Sequence, residues 1–397
     1  MCLCAFVTLC LLLIMELKKN ALLALDAIHQ KPTKGIPSWL IHPMEHRIID
    51  RLAGALEGTY KKKPIETYLQ MQWNVGTCLL DQYLAVNPLS MEEHGYESGG
   101  KTATTGLKQI ILDEMVIDSP EAVAAHLEQK VFPQLQAAID QWIKEPQAME
   151  KGKSRQIRWA EETTQLLLGP DILKVPYGGG IQNFPYFSYG GYGYENYFMA
   201  YALYPDVLER HFSLQADLAV HVNRASARAY LEGDLPPFLR LDHDMADSRG
   251  TLVDIKSLDK IWFPHFARSI EPLVKAGVKL IWHCDGNLMQ MVPRLLEAGL
   301  AGFQGFQYED GMDYGKICRM KTRAGNPLII VAGVSVTRTL PFGTPEDVRK
   351  EMKWLVEQGP KTGLFLGGSS SIAPGVVWEN MQTFVEGLKY YREHGRR

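Results

Sequence analysis

The stretch Val278-Lys279-Leu280-Ile281-Trp282-His283, followed by Cys284-Asp285-Gly286, decides the fold. It is a short, mostly apolar run set between Gly277 and Gly286. It is too short for a buried helix and shows no alternation between a wet and a dry face, so it reads as a strand buried on both sides. Such strands belong to parallel sheets covered by helices. Downstream, Asn287 to Ala298 carries apolar residues at helical spacing and stops at Gly299, with Pro293 predicting a kink or a late start. Gly302 to Gln307 and the β-branched run Pro327 to Val334 are the next strands.

The strongest helix start in the chain comes next. Thr344 can cap, Pro345 fits the first turn, and Glu346 and Asp347 complement the helix dipole. Val348, Met352 and Leu355 form one apolar face, and Gly359 ends the helix. Gly363 to Leu366 is a further strand, and a closing helix runs from about Pro374 to Tyr391. Upstream, Phe238 to Leu241 reads as a strand, and Pro120 to Ile143 and Ser257 to Ala276 read as helices. Strand and helix alternate with short connections, which requires a parallel α/β sheet. No glycine-rich dinucleotide fingerprint follows a first strand, which disfavours the open nucleotide-binding sheets. The expected fold is a (β/α)8 TIM barrel forming a single domain over 15–397, with a helical elaboration from about Met44 to Ser154.

Composition narrows the function. The 397 residues are 46% hydrophobic, enough for a large core. The net charge of -3 leaves no footprint for nucleic acid. Six cysteines make no CxxC pair, so a disulfide framework is not indicated and a cytoplasmic, reducing location is expected. Met1 to Ile14 is apolar but too short to span a bilayer, and Lys18 and Lys19 follow rather than precede it. Three readings stand for 1–14: a start upstream of a true Met15, a membrane-associated or signal segment, or an ordinary terminus. No stable membrane insertion is expected.

In such folds function lies in the loops after the strands. These loops carry His283-Cys284-Asp285, Tyr308-Glu309-Asp310, Ser335, Ser369-Ser370-Ser371 and Asp242-His243-Asp244. His283 and Asp285 stand two apart beyond a strand end, so both can face the mouth. With Glu309 they can form a His-plus-carboxylate metal site. They can equally bind a polar substrate or do acid–base work. A core role for His283, with Asp285 capping the next helix, is the plainer alternative. Cys284 between them should face the other way. Asp244 can orient His283 or a ligand. The segment from Tyr177 through Tyr189 to Tyr197 mixes glycine with tyrosine, suited to stacking a planar ligand or to packing a loop.

IWHCDG at 281–286, LPFGTPEDV at 340–348 and SSSIAPGVVWEN at 369–380 resemble the uroporphyrinogen decarboxylase family, which also includes zinc methyltransferases acting on corrinoid-bound methyl groups. Weaker similarity reaches back to Pro37-Ser38-Trp39. The resemblance implies a divergent barrel enzyme, with Asp81 matching the catalytic aspartate. The family decarboxylases carry arginines after the first strand, where this chain has Leu40-Ile41-His42-Pro43, and a late histidine, where it has Ser370. The methyltransferases place cysteines where this chain has Asp285 and Ser370, so their thiolate ligands are missing. The reading that follows is methyl or other one-carbon transfer on a small molecule. His283, Asp285 and Asp81 are its catalytic residues, and Glu309, Asp244, Tyr189 and Ser370 contact the substrate. His283, Asp285 and Glu309 are the candidate metal ligands, and zinc and a corrinoid, with a corrinoid protein as partner, are the cofactors the resemblance implies. The rivals are uroporphyrinogen decarboxylation and a non-catalytic tetrapyrrole-binding protein.

Overall fold

Seven short parallel strands follow one another along the chain: β1 (Leu79–Leu80), β2 (Leu173–Lys174), β3 (Phe238–Asp242), β4 (Lys279–His283), β5 (Gly302–Gln304), β6 (Ile329–Val334) and β7 (Leu364–Gly368). They are seen in a computed structural model that describes residues 16–86, 110–178 and 180–396. The apolar leader at 1–14 and Gly179 lie outside the described residues.

Strands β3 to β7 form one parallel sheet in chain order, and β1 pairs with β2 in a second. The segment at Ser38 and Trp39 links them through parallel bridges, Ser38 to Leu366 on β7 and Trp39 to Leu79 on β1. Pairing therefore runs from β3 through β7 and the 38–39 segment to β1 and β2. Among the described residues no backbone ladder joins β2 to β3. Side chains cross there instead: Tyr177 Oη donates to Asp242 Oδ2 at 2.9 Å and Gln182 Nε2 donates to the Asp242 carbonyl at 3.0 Å. The parallel α/β architecture is as expected, whereas among the described residues no closed eight-stranded ladder is seen. The chain leaves β2 after two residues for a long loop, and the β3 edge facing it is met by side chains.

Strands β4 and β6 were legible because they are mostly apolar. β4 has four buried residues in a row and β6 has six. This is the signature of strands covered on both faces. Helices supply the cover. Pro205–Gly233 packs on Phe263–Lys275 and on Pro146–Leu168, and Pro345–Gln358 packs on Trp378–His394. The Thr344 side chain accepts from the Asp347 N–H and the Asp347 carboxylate accepts from the Thr344 N–H, a full capping box. The helix after β4 is Val292–Ala298, the late start that Pro293 predicted. The described residues of the 44–154 segment are largely helical, as expected, but they also include β1. Beneath the helices the Trp262 ring lies over Phe266 at 4.6 Å, and Phe266 meets Trp282 edge-on at 5.4 Å. Burying a side chain such as Phe266 contributes about 2–3 kcal/mol.

No described helix is long and apolar enough to cross a membrane.

Candidate functional site

Register builds the site. Asp242 on β3 pairs with His283 on β4, and His283 pairs with Gln304 on β5. Adjacent strands lie about 4.8 Å apart, so three polar residues at matching strand ends become neighbours. Each closes an apolar strand, so each meets the cavity rather than the core.

The cavity has a volume of about 310 Å³. It is lined by Asp242, Asp244, His283, Asp285 and Ser370, with Arg240 and His42 on its walls. Asp244, His283 and Asp285 each present a ligand atom, all within 4.8 Å of one another. His283 Nε2 stands 3.9 Å from Asp285 Oδ1, and His283 Nδ1 is 3.3 Å from the Gln304 carbonyl. That second contact places the ring proton on Nδ1 and turns Nε2 toward the carboxylates. The Asp285 N–H donates to Asp244 Oδ1 at 2.9 Å, and Ser370 Oγ donates to Asp285 Oδ2 at 3.5 Å.

Gly305 makes this geometry possible. It has φ +69°, and a Cβ there would sit 2.5 Å from the Ser369 carbonyl and 2.9 Å from His283 Nδ1. Gly286, with φ +89°, likewise lets the loop after β4 pass against the Asp247 backbone.

Two carboxylates are tuned in opposite directions. Burial raises the Asp285 pKa, His283 opposes this, and Asp244 and Asp242 raise it further. Asp242 is also pushed up by burial, but His283, Arg240 and its hydrogen bond from Tyr177 outweigh that and hold its pKa below the ordinary carboxylate value. A carboxylate held ionised beside one inclined to keep its proton is the arrangement acid–base sites use.

Several residues stand elsewhere than expected. Glu309 is outside the cluster. Its Oε1 accepts from Ser335 Oγ at 2.6 Å and Thr337 Oγ1 at 2.7 Å, so it is held at the end of β6, and Asp244 takes its place beside His283. Asp81 does not line the cavity. It is fully buried and accepts from Arg240 Nε at 2.6 Å, which makes it a support for Arg240. Tyr189 sits behind Asp244: its hydroxyl donates to the Asp244 carbonyl at 3.1 Å and its ring stacks on His243. Tyr192 packs on Tyr197 and Tyr194 on Tyr189. Cys284 faces away, its Sγ accepting from the Met245 N–H, and burial pushes its thiol pKa far up.

Arg240 was missed at the sequence level. It is 5% exposed, donates to Asp81, Asp242 and Gln82, and lies 4.5 Å from the centre of the Tyr177 ring. The available signal was an arginine inside an otherwise apolar strand, Phe-Leu-Arg-Leu.

The site can bind a small polar molecule, hold a proton on His283 or Asp285, and offer one nitrogen and two carboxylates to a cation. A thiolate zinc site does not fit, because the clustered donors are one histidine and two carboxylates and the Cys284 thiol is turned away. A harder nitrogen-and-oxygen cation fits the Asp244, His283 and Asp285 donors.

The model of the uroporphyrinogen decarboxylase (URO-D) family matches residues 243–391. The match begins at His243 and takes in all three donors. The resemblance drawn from the motifs at 281–286, 340–348 and 369–380 holds over that stretch. The chain is also similar in fold to a solved methyltransferase from Methanosarcina mazei, at 16% identity with a TM-score of 0.54, over 94% of this chain and 98% of that one. No curated protein matches.

Proposed function

We propose that this chain is an enzyme of the uroporphyrinogen decarboxylase type that transfers a methyl or other one-carbon group between small molecules, on an eight-stranded barrel with its site at the carboxyl ends of the strands. The observation that carries the reading is the convergence of Asp244, His283 and Asp285 within 4.8 Å at the mouth of a small cavity. The family match over 243–391 and the fold likeness to a methyltransferase support it.

His283 receives the proton of the acceptor hydroxyl, amine or thiol as that atom takes the methyl group. The bond between methyl and donor breaks with its electron pair left on the donor. The imidazolium so formed is stabilised by Asp242, which is held ionised, and Asp285 passes the proton to solvent. Asp244 and Ser370 orient the acceptor. A divalent cation held by Asp244, His283 and Asp285 would occupy the His283 Nε2 lone pair, and would then lower the pKa of the acceptor by Lewis acidity in place of proton transfer to His283.

The cavity bears on the substrate. About 310 Å³ is at the small end of ligand sites, so a small acceptor fits within it while a corrin ring would have to meet the rim from outside, carried by a partner. Porphyrinogen decarboxylation is less well served. Its polycarboxylate substrate needs free cations, and Arg240 is already committed to Asp81 and Asp242.

Incubating the purified protein with methylcobalamin and small thiols, alcohols and amines tests this. Loss of the methylcobalamin absorbance with appearance of methylated acceptor is expected. Carbon dioxide release from uroporphyrinogen, with no methyl transfer, would replace the proposal.

A further inference from the structure

An open groove of about 860 Å³ runs between the helices Pro205–Gly233 and Phe263–Lys275, in the helical cover of the sheet. It shares no lining residue with the first cavity. Ala227, Leu231, Pro272 and Ala276 give it an apolar floor. Leu231 is 68% exposed there, and Ala227, one helical turn before it, carries only a methyl group. A leucine held out into water beside an alanine is a knob next to a hole.

Arg224, Ala227, Arg228, Leu231 and Glu232 stand at i, i+3, i+4, i+7 and i+8, so they form one stripe on a single helix face. The charges along the groove are of both signs: four arginine or lysine and three glutamate side chains line it. Arg224 makes no ion pair among the described residues. Glu232 accepts from Arg228 Nε at 2.7 Å, yet its side chain stays 39% exposed.

A partner of one sign would cover charges that it repels. A surface carrying both signs at the same spacing meets both, and this stripe is such a surface. Arg224 and Glu232 lie four residues to either side of Arg228, about 6 Å along the helix axis. A copy related by a two-fold axis beside Arg228 runs antiparallel. It sets Arg224 opposite Glu232 of the second copy, and Glu232 opposite the second copy's Arg224. The same register sets each Leu231 against the second copy's Ala227, large against small. The two Arg228 side chains approach the axis, each already held by the Glu232 of its own helix.

We propose that this groove is a two-fold interface at which two copies of the chain associate, with Leu231 as anchor and the Arg224–Glu232 pairs fixing the register. One helix stripe buries less surface than an obligate interface, so the association is reversible and depends on concentration. The proposal does not depend on the reaction at the first cavity.

Sedimentation equilibrium of the full chain, from about 1 to about 200 µM, tests it. The mass should rise with concentration from the 44.7 kDa of one chain toward twice that value. Leu231→Asp should weaken association at least roughly tenfold, because it carries an unpaired charge into the contact. Its Tm should be unchanged, since the side chain it replaces is exposed. Arg224→Glu and Glu232→Arg should each weaken association roughly tenfold, because like charges then face each other twice. Mixed one to one, these two variants should associate again, because every opposed pair across the axis regains opposite signs. The mixture decides the question if Leu231→Asp does not fold. A single-chain mass at every concentration would overturn the proposal and leave the groove to a different protein. A dimer that Leu231→Asp does not weaken, or charge-reversed variants that stay apart when mixed, would overturn it as well.

Discussion

Arg240 Nε donates to Asp81 Oδ2 at 2.6 Å, with the Asp81 side chain wholly shut off from solvent. The pair ties the end of β1 to β3 across the place where no backbone ladder joins β2 to β3. It also presents the Arg240 Nη1 to Asp242, at 2.7 Å, and so helps to hold that carboxylate ionised beside His283.

Asp81→Ala should therefore damage stability before chemistry. Removing one partner of a buried pair typically costs about 3–5 kcal/mol, because the remaining charge stays buried. Urea unfolding monitored by circular dichroism measures this, and a loss under 1 kcal/mol would contradict the structural role given to Asp81.

His283→Ala should leave the fold intact and lower turnover by roughly 10²–10⁴-fold, the usual contribution of a positioned acid–base group. Asp244→Ala and His283→Ala should each weaken binding of a divalent cation, read by calorimetry with Mn²⁺ or Zn²⁺, while Glu309→Ala should not. Cation affinity that follows Glu309 instead would return the ligand set to the one expected from sequence.

Gly305→Ala tests the fit around His283. The new methyl group meets the Ser369 carbonyl and His283 Nδ1 inside contact distance, at a φ that L residues rarely adopt. A loss of about 2–3 kcal/mol in stability is expected. His283 should lose its place as well, so cation affinity should fall together with Tm. Unchanged affinity would mean that the ring is held by other contacts.

Glu351 predicts a pH dependence. Burial raises its pKa from 4.5 to about 7, against the opposing hydrogen bond from the Ser335 N–H. A carboxyl with a raised folded-state pKa stabilises the protein below its unfolded value, and that contribution is lost as pH rises through the folded value. Glu351→Gln should therefore be more stable than the parent at pH 8, by on the order of 2 kcal/mol, and indistinguishable from it near pH 4. Thermal unfolding at both pH values checks the sign. A gain at pH 4 that vanishes at pH 8 would refute the assignment.

The strands and the best helix were legible in the sequence because they depend on local chemistry. Val278 to His283 is mostly apolar wherever it is placed, and Thr344, Pro345 and Asp347 cap a helix through contacts within one turn. β1 and β2 were not read, since two-residue strands carry no pattern. The site was half legible. His283 closes a strand and Asp285 and Asp244 follow strand ends, so their chain positions pointed to a common rim, and Ser370 followed for the same reason.

The amino-acid sequence by itself determined the alternation of buried strands and capped helices, and with it a parallel sheet with polar residues at its carboxyl ends. Only the tertiary structure decided which of those residues meet. Register set Asp242, His283 and Gln304 side by side, Ser335 and Thr337 held Glu309 away, and Arg240 drew Asp81 into the interior. The reason is that local patterns arise from contacts within a few residues. A site is a set of distances between residues tens to hundreds of positions apart, and packing alone fixes those.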